Sequence, residues 1–128
     1  MTTATGTDIM HGLIEAATWL GYHVHHETDS RRTNPGYPDL TVVGYGAIFV
    51  IETKSRGEKF IPPKTTKRGT QLPGQIDWLA AFAATGKAHT YVCRPQREDL
   101  APSEEDWQEI AYDDLLAVLR EQAGRTGE

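Results

Sequence analysis

Pro38-Asp-Leu-Thr-Val-Val-Gly-Tyr-Gly-Ala-Ile-Phe-Val-Ile-Glu-Thr-Lys54 is the stretch that decides how this chain folds. Leu40 to Val43 is short and β-branched, Gly44-Tyr-Gly46 supplies turn residues, and Ala47 to Ile51 is an unbroken apolar run of strand length. Such a run belongs to a strand covered on both faces. The two segments therefore predict a β-hairpin whose second strand lies inside a sheet. With Gly44-Tyr-Gly46 as the turn, Val43 pairs with Ala47, and Asp39 lies opposite Ile51, beside Glu52. A one-residue shift sets the two carboxylates directly opposite. Cross-strand neighbours have Cβ atoms about 4.5–5.5 Å apart, and carboxylates that close repel each other unless a cation sits between them. A divalent ion such as Mg²⁺, which takes one or two carboxylates plus phosphate and water, suits the pair. Strand alternation puts Lys54 on the face of Glu52. Its ammonium, expected at the exposed end of the strand, can hold a water or a phosphate.

Upstream, Ile9, Leu13, Ala16, Ala17 and Leu20 form one stripe at helical spacing, so a helix is predicted from Thr7 with Gly21 as its stop. Tyr22 to His26 reads as a short strand and Glu27 to Tyr37 as a polar loop. Downstream, Ser55 to Gly74 carries no periodicity, and a loop of that length in a compact domain is usually functional or mobile. Gln75 to Thr85 predicts a helix with Ile76, Leu79, Phe82 and Ala83 as its apolar stripe and Gly86 as its stop. Ala88 to Arg94 predicts a strand ended by Pro95. Ser103 to Asp106 resembles a capping box before Trp107, and a last helix carries Ile110, Leu115, Leu116, Val118 and Leu119. The class is α/β, with helices packed on a small mixed sheet. One domain is expected over 7–122, between disordered ends at 1–6 and 123–128.

The chain has 128 residues and a formal net charge of -5. The length suits one domain. No stretch approaches about 18 apolar residues in a row, so no membrane span is expected. The N-terminal residues lack a secretory pattern. Cys93 is the single cysteine, which excludes an internal disulfide and fits the reducing cytoplasm. The charge is unevenly spread. Residues 96–128 hold three Lys/Arg against ten Asp/Glu, whereas residues 52–70 hold six against two. Lys59, Lys64, Lys67 and Arg68 make a basic strip fit for a nucleic-acid backbone. Arg31 and Arg32 are expected either as further phosphate contacts or as part of a plain solvated loop. His23 and His25 share a strand face but have no third ligand at zinc spacing.

Pro38-Asp39 followed, after twelve residues, by Glu52-Thr53-Lys54 resembles the PD-(D/E)XK nuclease signature. Gly36-Tyr-Pro-Asp-Leu40, Gln75-Ile-Asp-Trp-Leu79, Asp29-Ser-Arg-Arg32 and Gly86 before a strand ending Arg94-Pro95 look like the VRR-NUC branch of that superfamily. The resemblance covers about residues 7 to 119. It implies a restriction-endonuclease-like core and a metal-dependent nuclease acting on DNA. Asp39 and Glu52 are then ligands to Mg²⁺ or Mn²⁺ with the carbonyl of Thr53, Lys54 is the catalytic lysine, and Gln75 is a site residue. The family often adds an acid from the first helix. Asp8 is the favoured position, and Glu15, about 20° away around the helix, is the other. The long 55–74 loop departs from the family pattern. Branched or junction DNA is the expected substrate and a homodimer the expected assembly, with Trp19, Trp107 and the surplus apolar residues of the last helix as interface material. The rival readings are a non-catalytic DNA-binding module of the same fold, and an RNase or exonuclease on the same scaffold.

Overall fold

The computed structural model describes residues 5–27, 36–101 and 107–125. In chain order the elements are α1 (Gly6–Leu20), β1 (His23–His26), β2 (Leu40–Gly44), β3 (Ala47–Thr53), β4 (Lys64–Thr65), β5 (Gln71–Leu72), α2 (Gln75–Ala84), β6 (His89–Arg94), β7 (Gln108–Ala111) and α3 (Tyr112–Arg125). Five strands form one mixed sheet in the order β1-β2-β3-β6-β7, and β4 and β5 form a separate small hairpin. β3 is antiparallel to β2 and parallel to β6, which is parallel in turn to β7. A parallel pair needs a crossover, and α2 lies in the one between β3 and β6. The architecture is the α/β arrangement of helices on a mixed sheet that the sequence pattern predicts.

The core is in two parts, and β6 contributes to both, with Cys93 in one and Val92 in the other. Ala47, Phe49 and Ile51 pack with Ile9, Leu13 and Ala17 of α1 and Leu115 and Leu119 of α3. A smaller cluster of Leu79, Val92 and Trp107, with Phe60 and Ala83 against it, fills the side under α2. Cys93 lies in the larger cluster, and burial pushes its thiol up to about 12, so it is a small core residue.

The hairpin takes the one-residue shift. Its ladder runs from Gly44 opposite Ala47 to Leu40 opposite Ile51, so the next step brings Asp39 against Glu52. The turn has two residues, Tyr45 at φ 51° and Gly46 at φ 74°. Positive φ at both central positions is the turn that matches the twist of paired strands. A tyrosine tolerates it here because its hydroxyl donates to the Leu20 carbonyl and its own carbonyl accepts from Gln122 Nε2 at 2.9 Å.

Other boundaries shift for local reasons. Thr5 and Asp8 close a reciprocal capping box, so α1 begins at Gly6, and α3 runs on to Arg125. Ile110 lies in β7, a strand the sequence reading merges into the last helix; Trp107 and Ala111 are buried and Gln108 is exposed. The 55–74 segment contains the β4–β5 hairpin. Ile76 is 42% exposed and stands outside the buried face of α2, where Gln75 and Leu79 are buried instead. The Ser103–Asp106 capping box lies outside the described residues.

Candidate active site

Four segments converge at the C-terminal end of β3: the start of β2, the end of β3, the first turn of α2 and the turn after Lys54. Backbone packing sets the approach. Gly36 has φ 84°, and a Cβ there would stand 2.9 Å from the Gly74 carbonyl carbon. A Cβ at Gly74 would in turn meet the Ile61 carbonyl oxygen and the Pro63 nitrogen at 2.7 Å. Three stretches of backbone are therefore stacked without side chains between them, and this fixes Asp39 and Gln75 relative to β3.

Asp39 Oδ2 accepts the Thr53 backbone N–H and the Thr53 hydroxyl, both at 2.8 Å. Glu52 is 2% exposed. Its Oε1 accepts Gln75 Nε2 at 2.9 Å, while the amide oxygen of Gln75 accepts the Ile61 N–H at 2.8 Å. Glu52 Oε2 is buried without a hydrogen-bond partner. Ionised, that oxygen has no donor, which is costly; a proton shared with Asp39 or a cation ligand removes the cost. Burial first, and then the charge of Asp39, push the Glu52 carboxyl up to about 9. The donor set of two carboxylates and the Thr53 carbonyl is all oxygen, which fits Mg²⁺ or Mn²⁺. Among the described residues no group of three or more His, Cys, Asp or Glu stands at metal-binding spacing, so the remaining ligands would be water and phosphate.

One prediction arises from this pair. With the Glu52 carboxyl pushed up by burial and by Asp39, the pair would have to give up a proton to hold a cation. Mn²⁺ binding is therefore expected to release about one proton and to tighten as pH rises toward 9. Calorimetry in two buffers of different ionisation enthalpy measures the released proton. In EDTA, the stability contributed by neutral Glu52 is whole below its ordinary value of 4.5 and is lost as pH rises through about 9.

Lys54 departs from expectation. It is 2% exposed, and its backbone N–H continues the β3–β6 ladder by donating to the Cys93 carbonyl at 3.0 Å. The ammonium lies 3.3 Å from Glu58 Oε2 and 3.2 Å from the Lys59 carbonyl oxygen, above the Phe60 ring. The turn at residues 55–60 folds back over the strand end, and this buries the side chain.

Asp8 is fully exposed and its carboxylate is taken by the cap, accepting the Thr5 N–H at 3.0 Å. Glu15 is exposed and lines a hollow with Gly12, Trp19 and Tyr112 between α1 and α3. The part of α1 that does approach is Gly6, where a Cβ would stand 3.3 Å from the Thr53 carbonyl oxygen and 3.5 Å from Glu58 Oε1. Lys59, Lys64, Lys67 and Arg68 are all exposed, the last three on the β4–β5 hairpin. Arg31 and Arg32 lie outside the described residues.

Three residues that the sequence reading missed complete the site. Arg94 is buried; its Nε donates to Glu109 at 2.6 Å, and its Nη1 donates to the Ser55 and Glu58 carbonyls at 3.1 and 3.0 Å. Glu58 stands four residues after Lys54, a spacing at which opposite charges meet on a helix or tight turn. Glu109 gave no signal, because β7 itself was not recognised.

No family model matches the chain, and no curated protein matches it. Among solved structures it is similar to Hjc, a Holliday junction resolvase from the archaeal hyperthermophile Archaeoglobus fulgidus, at a TM-score of 0.44 and 19% identity. The match covers 66% of this chain and 63% of that one, so the chain spans less than two thirds of the resolvase. No helix among the described residues is long and apolar enough to cross a membrane.

Proposed function

We propose that this chain is a divalent-metal-dependent endonuclease of the VRR-NUC type that hydrolyses phosphodiester bonds in DNA, with branched or junction DNA as substrate. The single observation that carries this reading is the Glu52 carboxyl, buried against the Asp39 carboxyl with Oε2 accepting from no donor, at the end of the strand that Lys54 follows. Asp39, Glu52 and the Thr53 carbonyl would hold Mg²⁺ or Mn²⁺. When bound, the cation supplies Lewis-acid neutralisation of the scissile phosphate and lowers the pKa of a water. Thr53 orients the Asp39 carboxylate, Gln75 orients Glu52, and the Lys54 ammonium holds the attacking water or a phosphate oxygen by a charged hydrogen bond. The VRR-NUC resemblance supports the branched substrate. A panel of four-way junction, flap, linear duplex and RNA substrates with Mg²⁺ tests the reading. Cleavage of junction or flap DNA inside the strand supports it, and cleavage confined to RNA or to free ends overturns it in favour of an RNase or exonuclease.

The exposed hairpin would contact the backbone of DNA. Neutralising Lys64, Lys67 and Arg68 together is expected to flatten the slope of log K against log salt by up to about 0.9 per lost contact. An unchanged slope in a fluorescence titration would mean that the hairpin faces away from the substrate. We also infer that the enzyme pairs about a two-fold axis, which brings two sites to two strands. Trp19, 91% exposed on α1, is the available interface residue, whereas Trp107 at 6% belongs to the core. Light scattering at micromolar concentration is expected to give a dimer, and a monomer with and without DNA would refute the pairing alone. The proposed location is the cytoplasm, with cellular DNA.

A further inference from the structure

Nothing on the metal side of the site fixes where the Lys54 ammonium points. Its stem is flexible, and a lysine beside two carboxylates has a competing destination at Glu52 Oε2. Both hydrogen bonds of Nζ go elsewhere, to Glu58 Oε2 at 3.3 Å and to the Lys59 carbonyl at 3.2 Å. Glu58 is well anchored for a residue on a loop. Its Oε1 accepts the Ser55 N–H at 2.9 Å and the Ser55 hydroxyl at 3.0 Å, and its own N–H donates to the Ser55 carbonyl at 3.1 Å. That turn is clamped from the sheet by Arg94, which donates to the carbonyls of Ser55 and Glu58 and is neutralised by Glu109. Phe60 lies under both cations, 5.6 Å from Lys54 Nζ and 5.8 Å from the Arg94 guanidinium carbon.

We propose that Glu58 is the positioning residue of this site: held by Ser55 and by the Arg94 clamp, it keeps the Lys54 ammonium off the Asp39–Glu52 pair and sets the place from which it acts in phosphodiester cleavage. The inference rests on the nuclease reading of the same site.

The test is single-turnover cleavage of four-way-junction DNA with Mg²⁺ by Glu58→Ala and Glu58→Gln, each made in the wild type and in a Lys54→Met background. In the wild type, Glu58→Ala is expected to lower the maximal rate by about 10–100-fold, the scale of a misplaced catalytic group. Half-saturating DNA concentration and Mn²⁺ affinity stay within about twofold. Glu58→Gln keeps an acceptor oxygen for the ammonium and recovers most of the rate. In the Lys54→Met background, Glu58→Ala has no further effect, because residues acting through one group are not additive. Equal losses in both backgrounds, or a loss carried by DNA or Mn²⁺ affinity, overturn the assignment. Where Lys54→Met is too slow to time, the ¹⁵Nζ resonance of Lys54 decides: a shift in Glu58→Ala supports the contact and an unmoved resonance overturns it. A wild type that does not cleave overturns the nuclease reading and this inference together. A wild type that cleaves, with additive variants, overturns this inference alone.

Discussion

Replacing Lys54 by methionine is expected to slow DNA cleavage by about 10²–10³-fold, the usual loss when one preorganised charge is removed from a reacting centre, while Mn²⁺ binding is retained. Methionine is the informative substitution because Lys54 is buried to 2% exposure. Alanine would also open a void above Phe60 and confuse a loss of chemistry with a loss of packing. Methionine keeps the length of the stem and removes only the ammonium. Some stability is still lost, because the Lys59 carbonyl and Glu58 lose a donor. A group left without its partner costs about 1–3 kcal/mol when buried, and Glu58, 43% exposed, keeps this toward the low end. Urea melts and a quenched cleavage time course separate the two effects. Cleavage at the wild-type rate in a folded Lys54→Met protein would make the lysine structural.

The second large effect is expected from Asp39→Asn. The amide oxygen still accepts from Thr53, so the start of β2 stays docked on β3, but the negative charge is gone. A unit charge at about 4 Å is worth about 1–4 kcal/mol between the dielectric of water and that of a protein surface. Each 1.4 kcal/mol is about tenfold in affinity, so Mn²⁺ affinity should fall by about one to three decades. Cleavage at subsaturating Mg²⁺ should fall with it. The same variant removes the like charge beside Glu52, so the proton released on cation binding should come from a more acidic group than in the wild type. Calorimetric titration with Mn²⁺ reads both changes. An unaltered isotherm would remove Asp39 from the ligand set.

The hairpin and the pairing of Asp39 with Glu52 were legible in the sequence because each rests on local pattern. An unbroken apolar run marks a central strand, a strand alternates its faces, and Pro38-Asp39 and Glu52-Thr53-Lys54 stand at the two ends of one turn. The register itself was open to one residue, because it depends on Tyr45 accepting positive φ, and that depends on partners in α1 and α3. The burial of Lys54 was not legible either. A lysine at a strand end reads as exposed, and here a later turn returns over it, held by Arg94 from a strand 40 residues away in sequence. Asp8 illustrates the reverse case. Helical spacing allowed it to face the site, but a threonine three residues earlier captured its carboxylate for the cap. β7 was lost because Ile110 continues the apolar spacing of the helix that follows it.

Supercoiled plasmid carrying an inverted repeat extruded as a four-way junction, incubated with the purified protein and Mg²⁺, tests the central claim most directly. The expected result is conversion to nicked circles that stops with EDTA, returns with added Mn²⁺ and fails in Asp39→Asn. Nicking that persists in EDTA or in Asp39→Asn, or no nicking by the folded wild type at any Mg²⁺ or Mn²⁺ concentration, would contradict a cation-dependent phosphodiesterase built on Asp39 and Glu52.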